Sequence, residues 1–204
     1  MGGRGSSSGI GGSSFTTYTT IVDSKKGLGL GNGGETDKWM AGLTDMERKS
    51  IVKYTGSGYT SINEYLRGQI SGSPVLKSVV GNIEKAVNKF NLENPTVFHR
   101  GSSAGLLGGA NSVTDINKMV GQVVVDKGFT STSATSGKGF THKPIQYHIQ
   151  TPSGKGIGAF VQGMSNFASE NEFVFNHGSG FKILGAYQKH GEVHVNMRYI
   201  GRMS

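Results

Sequence analysis

The stretch Ala159–Phe175, AFVQGMSNFASENEFVF, decides the reading of the fold. It opens apolar, passes through a loop of small residues, and ends on an aromatic and branched run headed by two carboxylates, Glu170 and Glu172. Phe173, Val174 and Phe175 favour a strand, because such side chains fit a pleated, half-buried surface. In extended backbone, residues two apart share a face, so the two carboxylates would point the same way. Two acids at a strand mouth suit the stabilisation of a developing positive charge. A solvated strand end is the other reading of the same residues.

Outward from this stretch the chain divides in two. After it, Lys182–Tyr187 and Glu192–Ile200 read as strands, the last alternating through Val193, Val195, Met197 and Tyr199. Before it, residues 96–100, 122–126, 129–133, 145–149 and 157–162 are short strand patterns. Residues 40–90 are helical instead. Thr44 and Glu47 form a capping box for a helix to about Tyr54, and Ser61 with Glu64 predicts a second helix ending at Gly68. Ser73-Pro74 opens a third, with Leu76, Val79, Val80, Ile83, Val87 and Phe90 as its apolar stripe. Helices first and many short strands after them predict an α+β fold on a largely antiparallel sheet core.

Composition narrows the function. Lys and Arg total 21 against 13 Asp and Glu, a net charge of +8 that suits a polyanionic partner. The charges are scattered, which favours a phosphate-bearing small molecule over nucleic acid. There is no cysteine, so disulfides, thiol nucleophiles and thiolate metal sites are excluded. No run is long and apolar enough to span a bilayer, and MGGRGSSSGIGG has no hydrophobic signal core. The expectation is synthesis in the cytoplasm, with export or virion association needing a route that the sequence does not encode. Residues 1–36 are Gly/Ser-rich and predict a flexible tail, leaving 37–204 as one domain. The GxGxxG match at 29–34 has no βαβ unit around it and is not a dinucleotide fingerprint.

Three polar features fall on separate strands in a fixed order: Arg100 at a strand end, Ser131-Thr132-Ser133 within a strand, and Glu170-Asn171-Glu172 opening another. Each alone is an ordinary solvated feature. Together, in the flanks VFHRG, GFTSTS and GIGAFVQGMSNFASENEFVF, they resemble the arginine–serine–glutamate class of mono-ADP-ribosyltransferases, which includes exoenzyme toxins. YTGSGYTSINEYLRG at 54–68 is similar to that family's N-terminal helical segment. The head MGGRGSSSG also resembles ADP-ribosyltransferase-like proteins of phages of Gram-positive bacteria.

The resemblance implies two mostly antiparallel sheets with a cleft for NAD as co-substrate, no metal, and a target protein with an exposed arginine. It implies that Arg100 meets the pyrophosphate or ribose, where a planar, permanently charged guanidinium is suited. Gly101 would let nicotinamide approach the backbone. Ser131 would orient Glu172, and Glu172 would bind the ribose 2′-hydroxyl and stabilise the cationic transition state. Glu170 would aim the acceptor arginine. Tyr54, Tyr59, Asn63 and Arg67 would line the NAD site, Asn63 facing phosphate or adenine-ribose oxygens. Phe140 would sit beside nicotinamide, and Lys143 on phosphate in place of the family's usual arginine.

Other patterns are set aside. In HGEVH, His190 and His194 on one strand would stand roughly 13 Å apart, too far to share a metal. The SGKG pieces lack Walker spacing. Alternation turns His99 away from Arg100. An NAD glycohydrolase, a phage structural protein that keeps the fold, and a nucleic-acid binder are the rival functions.

Overall fold

In the computed structural model, which describes residues 29–30, 33–136, 142–164 and 171–203, helices precede strands. Helix α1 is Glu35–Ala41 and α2 is Asp45–Lys53. The predicted capping box opens α2: Glu47 N–H donates to Thr44 Oγ1 at 3.3 Å, and Thr44 N–H to Glu47 Oε2 at 2.8 Å. These bonds satisfy donors that the first turn leaves open. The same carboxylate oxygen holds Lys89 Nζ at 2.7 Å, fastening α2 to the end of α4, Pro74–Lys89.

The second predicted capping box is not used. A π-helical turn, Tyr54–Gly58, carries α2 directly into α3, Tyr59–Leu66. Ser61 therefore lies inside α3, and its hydroxyl donates to the Gly58 carbonyl. Gly56 bends the helix, at φ −98 and ψ −131, instead of ending it. Helix α4 follows its pattern: Ser73 caps it, and Val80, Ile83, Ala86, Val87 and Phe90 are buried. Folded structure also reaches back past residue 37, since Thr36 is buried and Leu30 packs on the core.

The strands are β1 Asn91–Leu92, β2 Thr96–Ser102, β3 Val123–Asp126, β4 Thr130–Ser133, β5 Ile145–Thr151, β6 Gly154–Lys155, β7 Gly158–Phe160, β8 Glu172–Phe175, β9 Ser179–Lys189 and β10 Glu192–Arg202. A 3₁₀ turn, Ala104–Leu107, and a short helix α5, Val113–Asn117, lie between β2 and β3. Strands β1 and β6 pair alone; the other eight run β3-β9-β10-β5-β2-β4-β8-β7. Only β10 and β5 pair in parallel among these. Strands β2 and β5 are registered from Thr96 to Ser102, but β2 and β4 share a single pair, His99 with Ser133. The eight strands are thus a five-stranded and a three-stranded sheet joined along one narrow seam.

Aromatic rings close that seam. Phe98 of β2 stacks on Phe173 of β8 with centroids 4.0 Å apart. Phe90, at the end of α4, meets Phe160 and Phe173 edge-on, and Trp39 of α1 meets Phe90 and donates from Nε1 to the Ala86 carbonyl at 2.8 Å. Burying each such side chain contributes about 1.5–3 kcal/mol. One cluster therefore sets the helices and both sheets against each other. Among the described residues, no helix is long and apolar enough to cross a membrane.

Candidate active site

The seam is where the polar residues meet. Phe98 faces the core, and Arg100, two residues on, shares its face beyond the edge of the rings. Arg100 Nη1 reaches across the seam and donates to the Ser131 carbonyl at 2.5 Å. His99 turns to the opposite face, as alternation predicts, with its Nδ1 2.9 Å from His148 Nδ1.

Ser131 holds Glu172. The Ser131 hydroxyl donates to Glu172 Oε1 at 2.6 Å, and Glu172 is only 6% exposed. Just before it, Asn171 adopts the left-handed conformation, φ 51, which asparagine tolerates better than most residues. Its carbonyl accepts from Ala134 N–H at 3.0 Å and its Nδ2 donates to Thr135 Oγ1 at 2.6 Å. These bonds to the end of β4 fix the angle at which Glu172 enters β8. Asn171 is a site residue that the sequence reading passed over. Its signal was an asparagine wedged between two glutamates at a strand start.

The helical segment supports β4 from beneath. Asn63 and the Phe129 peptide bond each other both ways, Phe129 N–H to Asn63 Oδ1 at 2.9 Å and Asn63 Nδ2 to the Phe129 carbonyl at 3.2 Å. The Tyr54 hydroxyl donates to the same carbonyl at 3.1 Å, and its ring meets Phe129 edge-on. Burial raises the Tyr54 phenol above its ordinary range. Both ends of the Asn63 amide are occupied, so in this structure it braces the entry to β4 instead of facing an open cavity. Gly128 permits that brace: a Cβ there would fall 2.7 Å from Asn63 Oδ1.

Arg100 is also a wall of a cavity of about 560 Å³, with Arg67, Lys127, Gln69, Ser102, Ser103 and Tyr147 among its other lining residues. Burial pushes the Tyr147 phenol up to about 12, so it stays protonated. Asp126 lines it too, but its carboxylate is paired with Arg67, and the remaining cations and hydroxyls suit phosphate oxygens. Ser131 and Glu172 do not line it; Arg100 is the residue common to both parts. Arg67 is ion-paired with Asp126, Nη2 to Oδ1 at 2.9 Å. The sequence reading missed Asp126 and Lys127.

The remaining expected residues are dispersed. Gly101 is buried in β2 opposite Gln146, Tyr59 is 53% exposed on α3, and Lys143 is half-buried before β5, its carbonyl accepting from Gln146 Nε2. Phe140 and Glu170 lie outside the described residues. His190 sits in the β9–β10 turn at φ 51 and not on a strand with His194. His194 Nδ1 is instead 2.8 Å from His148 Nε2, and its ring stacks on Tyr187. No group of three His, Asp or Glu among the described residues could hold a metal ion.

Helices on a split sheet, with arginine, serine and glutamate meeting at the split, place the chain among the ADP-ribosyltransferase folds. The solved structure of Plx2a, an ADP-ribosyltransferase toxin from Paenibacillus larvae, superposes with a TM-score of 0.79 at 23% identity, covering 91% of this chain and all of that one. C3stau2 from S. aureus, solved with NAD, gives 0.76 at 15% identity over 92% of this chain and 99% of its own. The family model described as ADP-ribosyltransferase exoenzyme matches residues 32–200, and the chain belongs to that family. Two curated relatives are 26% identical: NAD(+)–arginine ADP-ribosyltransferase EFV of Enterococcus faecalis, over 73% of this chain and 31% of its own, and NAD(+)–protein-arginine ADP-ribosyltransferase Tre1 of Serratia proteamaculans, over 78% and 33%. The chain spans about a third of the length of these relatives.

Proposed function

We propose that the chain is an NAD-dependent mono-ADP-ribosyltransferase that moves ADP-ribose from NAD to a protein arginine and releases nicotinamide. The observation that carries this reading is the buried Glu172 carboxylate held by Ser131 at 2.6 Å, with Arg100 bonded to the same serine's carbonyl. The cation-lined cavity beside Arg100 fits the pyrophosphate of NAD. The names of the two curated relatives support arginine as acceptor.

The chemistry follows from the geometry. Breaking the bond between ribose C1′ and the nicotinamide nitrogen leaves positive charge on the ribose. A carboxylate already oriented by Ser131 stabilises that charge more than it stabilises the ground state. Arg100 supplies fixed positive charge for phosphate. Glu170 is proposed to pair with the incoming guanidinium and assist loss of its proton. Tyr59, Gly101, Phe140 and Lys143 are proposed NAD contacts. Tyr54 and Asn63 act by bracing β4, and Arg67 by facing the cavity.

The test is incubation of the protein with NAD labelled in its ADP-ribose half and with agmatine, a small guanidine. Labelled agmatine from wild type, lost in Glu170→Gln and Glu172→Gln, is the expected result. Free ADP-ribose alone would replace this reading with an NAD glycohydrolase, and no turnover of NAD would overturn it.

A further inference from the structure

We propose that Asp126 is a positioning residue that presents Arg67 to the phosphates of the bound dinucleotide; this rests on the NAD-dependent reading above. Asp126 ends β3 and is 8% exposed. Its carboxylate is fixed from within the protein: Gly128 N–H donates to Oδ1 at 3.0 Å and Thr130 Oγ1 to Oδ2 at 2.9 Å. Arg67 then adds three bonds, Nε to Oδ1 at 3.2 Å and Nη2 to Oδ1 and Oδ2 at 2.9 and 3.1 Å. All three use one edge of the guanidinium. Nη1 takes no part in them and makes no hydrogen bond among the described residues.

The location makes this fork more than a surface ion pair. Arg67, Arg100 and Lys127 line one cavity together with Asp126 itself, and Arg67 keeps 37% side-chain exposure. Repulsion among three cations would drive a mobile arginine outward into water. A long side chain that had to be immobilised by the ligand would also lose rotamer entropy on binding. Asp126 imposes that order beforehand and leaves the second edge of Arg67 for an anion. Gly128 and Thr130 lead into the strand that carries Ser131, so the same carboxylate ties the cation wall to the serine–glutamate pair.

Asp126→Asn, Arg67→Gln and the double variant of the full chain decide it, each with affinity for ADP and NAD by calorimetry, kcat and KM with agmatine, and a thermal midpoint. Asp126→Asn should weaken ADP and NAD binding and raise KM for NAD by roughly fivefold to tenfold, with kcat within about twofold. The double variant should be no worse than Arg67→Gln. A structural role alone would lower the midpoint and the active fraction and leave affinity and KM of the folded protein unchanged. Unchanged affinity in Asp126→Asn, or additive losses in the double variant, would overturn the proposal. If Asp126→Asn does not fold, Arg67→Lys carries the test, because lysine cannot fork on Asp126 and offer a second edge; affinity equal to wild type would overturn it. Wild type that binds neither ADP nor NAD would overturn the functional reading itself, a result distinct from normal wild-type binding with an unaffected variant.

Discussion

Ser131 Oγ and Glu172 Oε1 lie 2.6 Å apart although the two residues are not ladder partners: Ser131 stands opposite Val174, and Glu172 opposite Ser133. The bond is diagonal, and diagonal neighbours are bridged only by long side chains. Length is therefore as necessary as charge. Glu172→Gln keeps the reach and loses the charge, and should lower turnover by about 10²–10³ with little change in thermal midpoint. Glu172→Asp keeps the charge, loses the contact, and should fall comparably. Near-normal turnover in either would contradict the assigned role.

The φ of 51 at Asn171 sets a second expectation. Alanine in that conformation costs about 1–2 kcal/mol, whereas glycine does not, and both lose the bond to Thr135. Asn171→Ala should be the less stable of the two in urea denaturation. Equal stabilities would mean the conformation carries no strain.

Gly128 lies against Asn63 and Arg67, with a hypothetical Cβ 2.7 Å from Asn63 Oδ1 and 3.2 Å from Arg67 Nη2. Gly128→Ala should displace both side chains, costing about 1–3 kcal/mol of stability and weakening NAD affinity. Calorimetry and denaturation on the same sample measure the two effects. A variant with wild-type affinity would show that the brace under β4 does not reach the ligand.

Acid should destabilise the protein through its histidines. His99, His148 and His194 form a chain of ring contacts across β2, β5 and β10, with Tyr187 stacked on His194, Glu192 3.6 Å from it, and Lys189 close enough to act on His148. Burial lowers His99 from 6.5 to about 4; burial, then the neighbouring His99, His194 and Lys189, does the same to His148. Between these values the unfolded chain binds more protons than the folded one, so stability is complete above about pH 6.5 and declines as pH falls toward 4. Urea midpoints from pH 7.5 to 4.5 should fall in wild type and fall less steeply when His99 and His148 are both replaced by glutamine, the remaining slope belonging in part to His177, which burial also lowers. A flat wild-type profile would refute the account.

Strand β8 was legible to the residue, because Phe173, Val174 and Phe175 are buried strand formers with a polar break on each side. Helix α4 was equally plain from its cap, proline and stripe. The start of α3 was not, since glycines that ordinarily end a helix are absorbed by a π-helical turn. The resemblance of their flanks singled out Arg100, Ser131 and Glu172, which the fold brings together, yet nothing local indicates that Asp126 meets Arg67, 59 positions away. His99 could be assigned a face by alternation; its partners depend on register between β2, β5 and β10, which a single chain does not spell out.

The single pair His99–Ser133 that joins the two sheets has a mechanical meaning. A row of paired residues would carry backbone bonds along the whole seam, whereas a single pair leaves much of the closure to side chains, the Phe98–Phe173 stack and the Arg100–Ser131 bond. Arg100 and Ser131 stand one and two residues from that pair, so the bond between them spans the seam where the two sheets lie side by side. Replacing Arg100 or Ser131 would therefore loosen the junction of the sheets as well as the site.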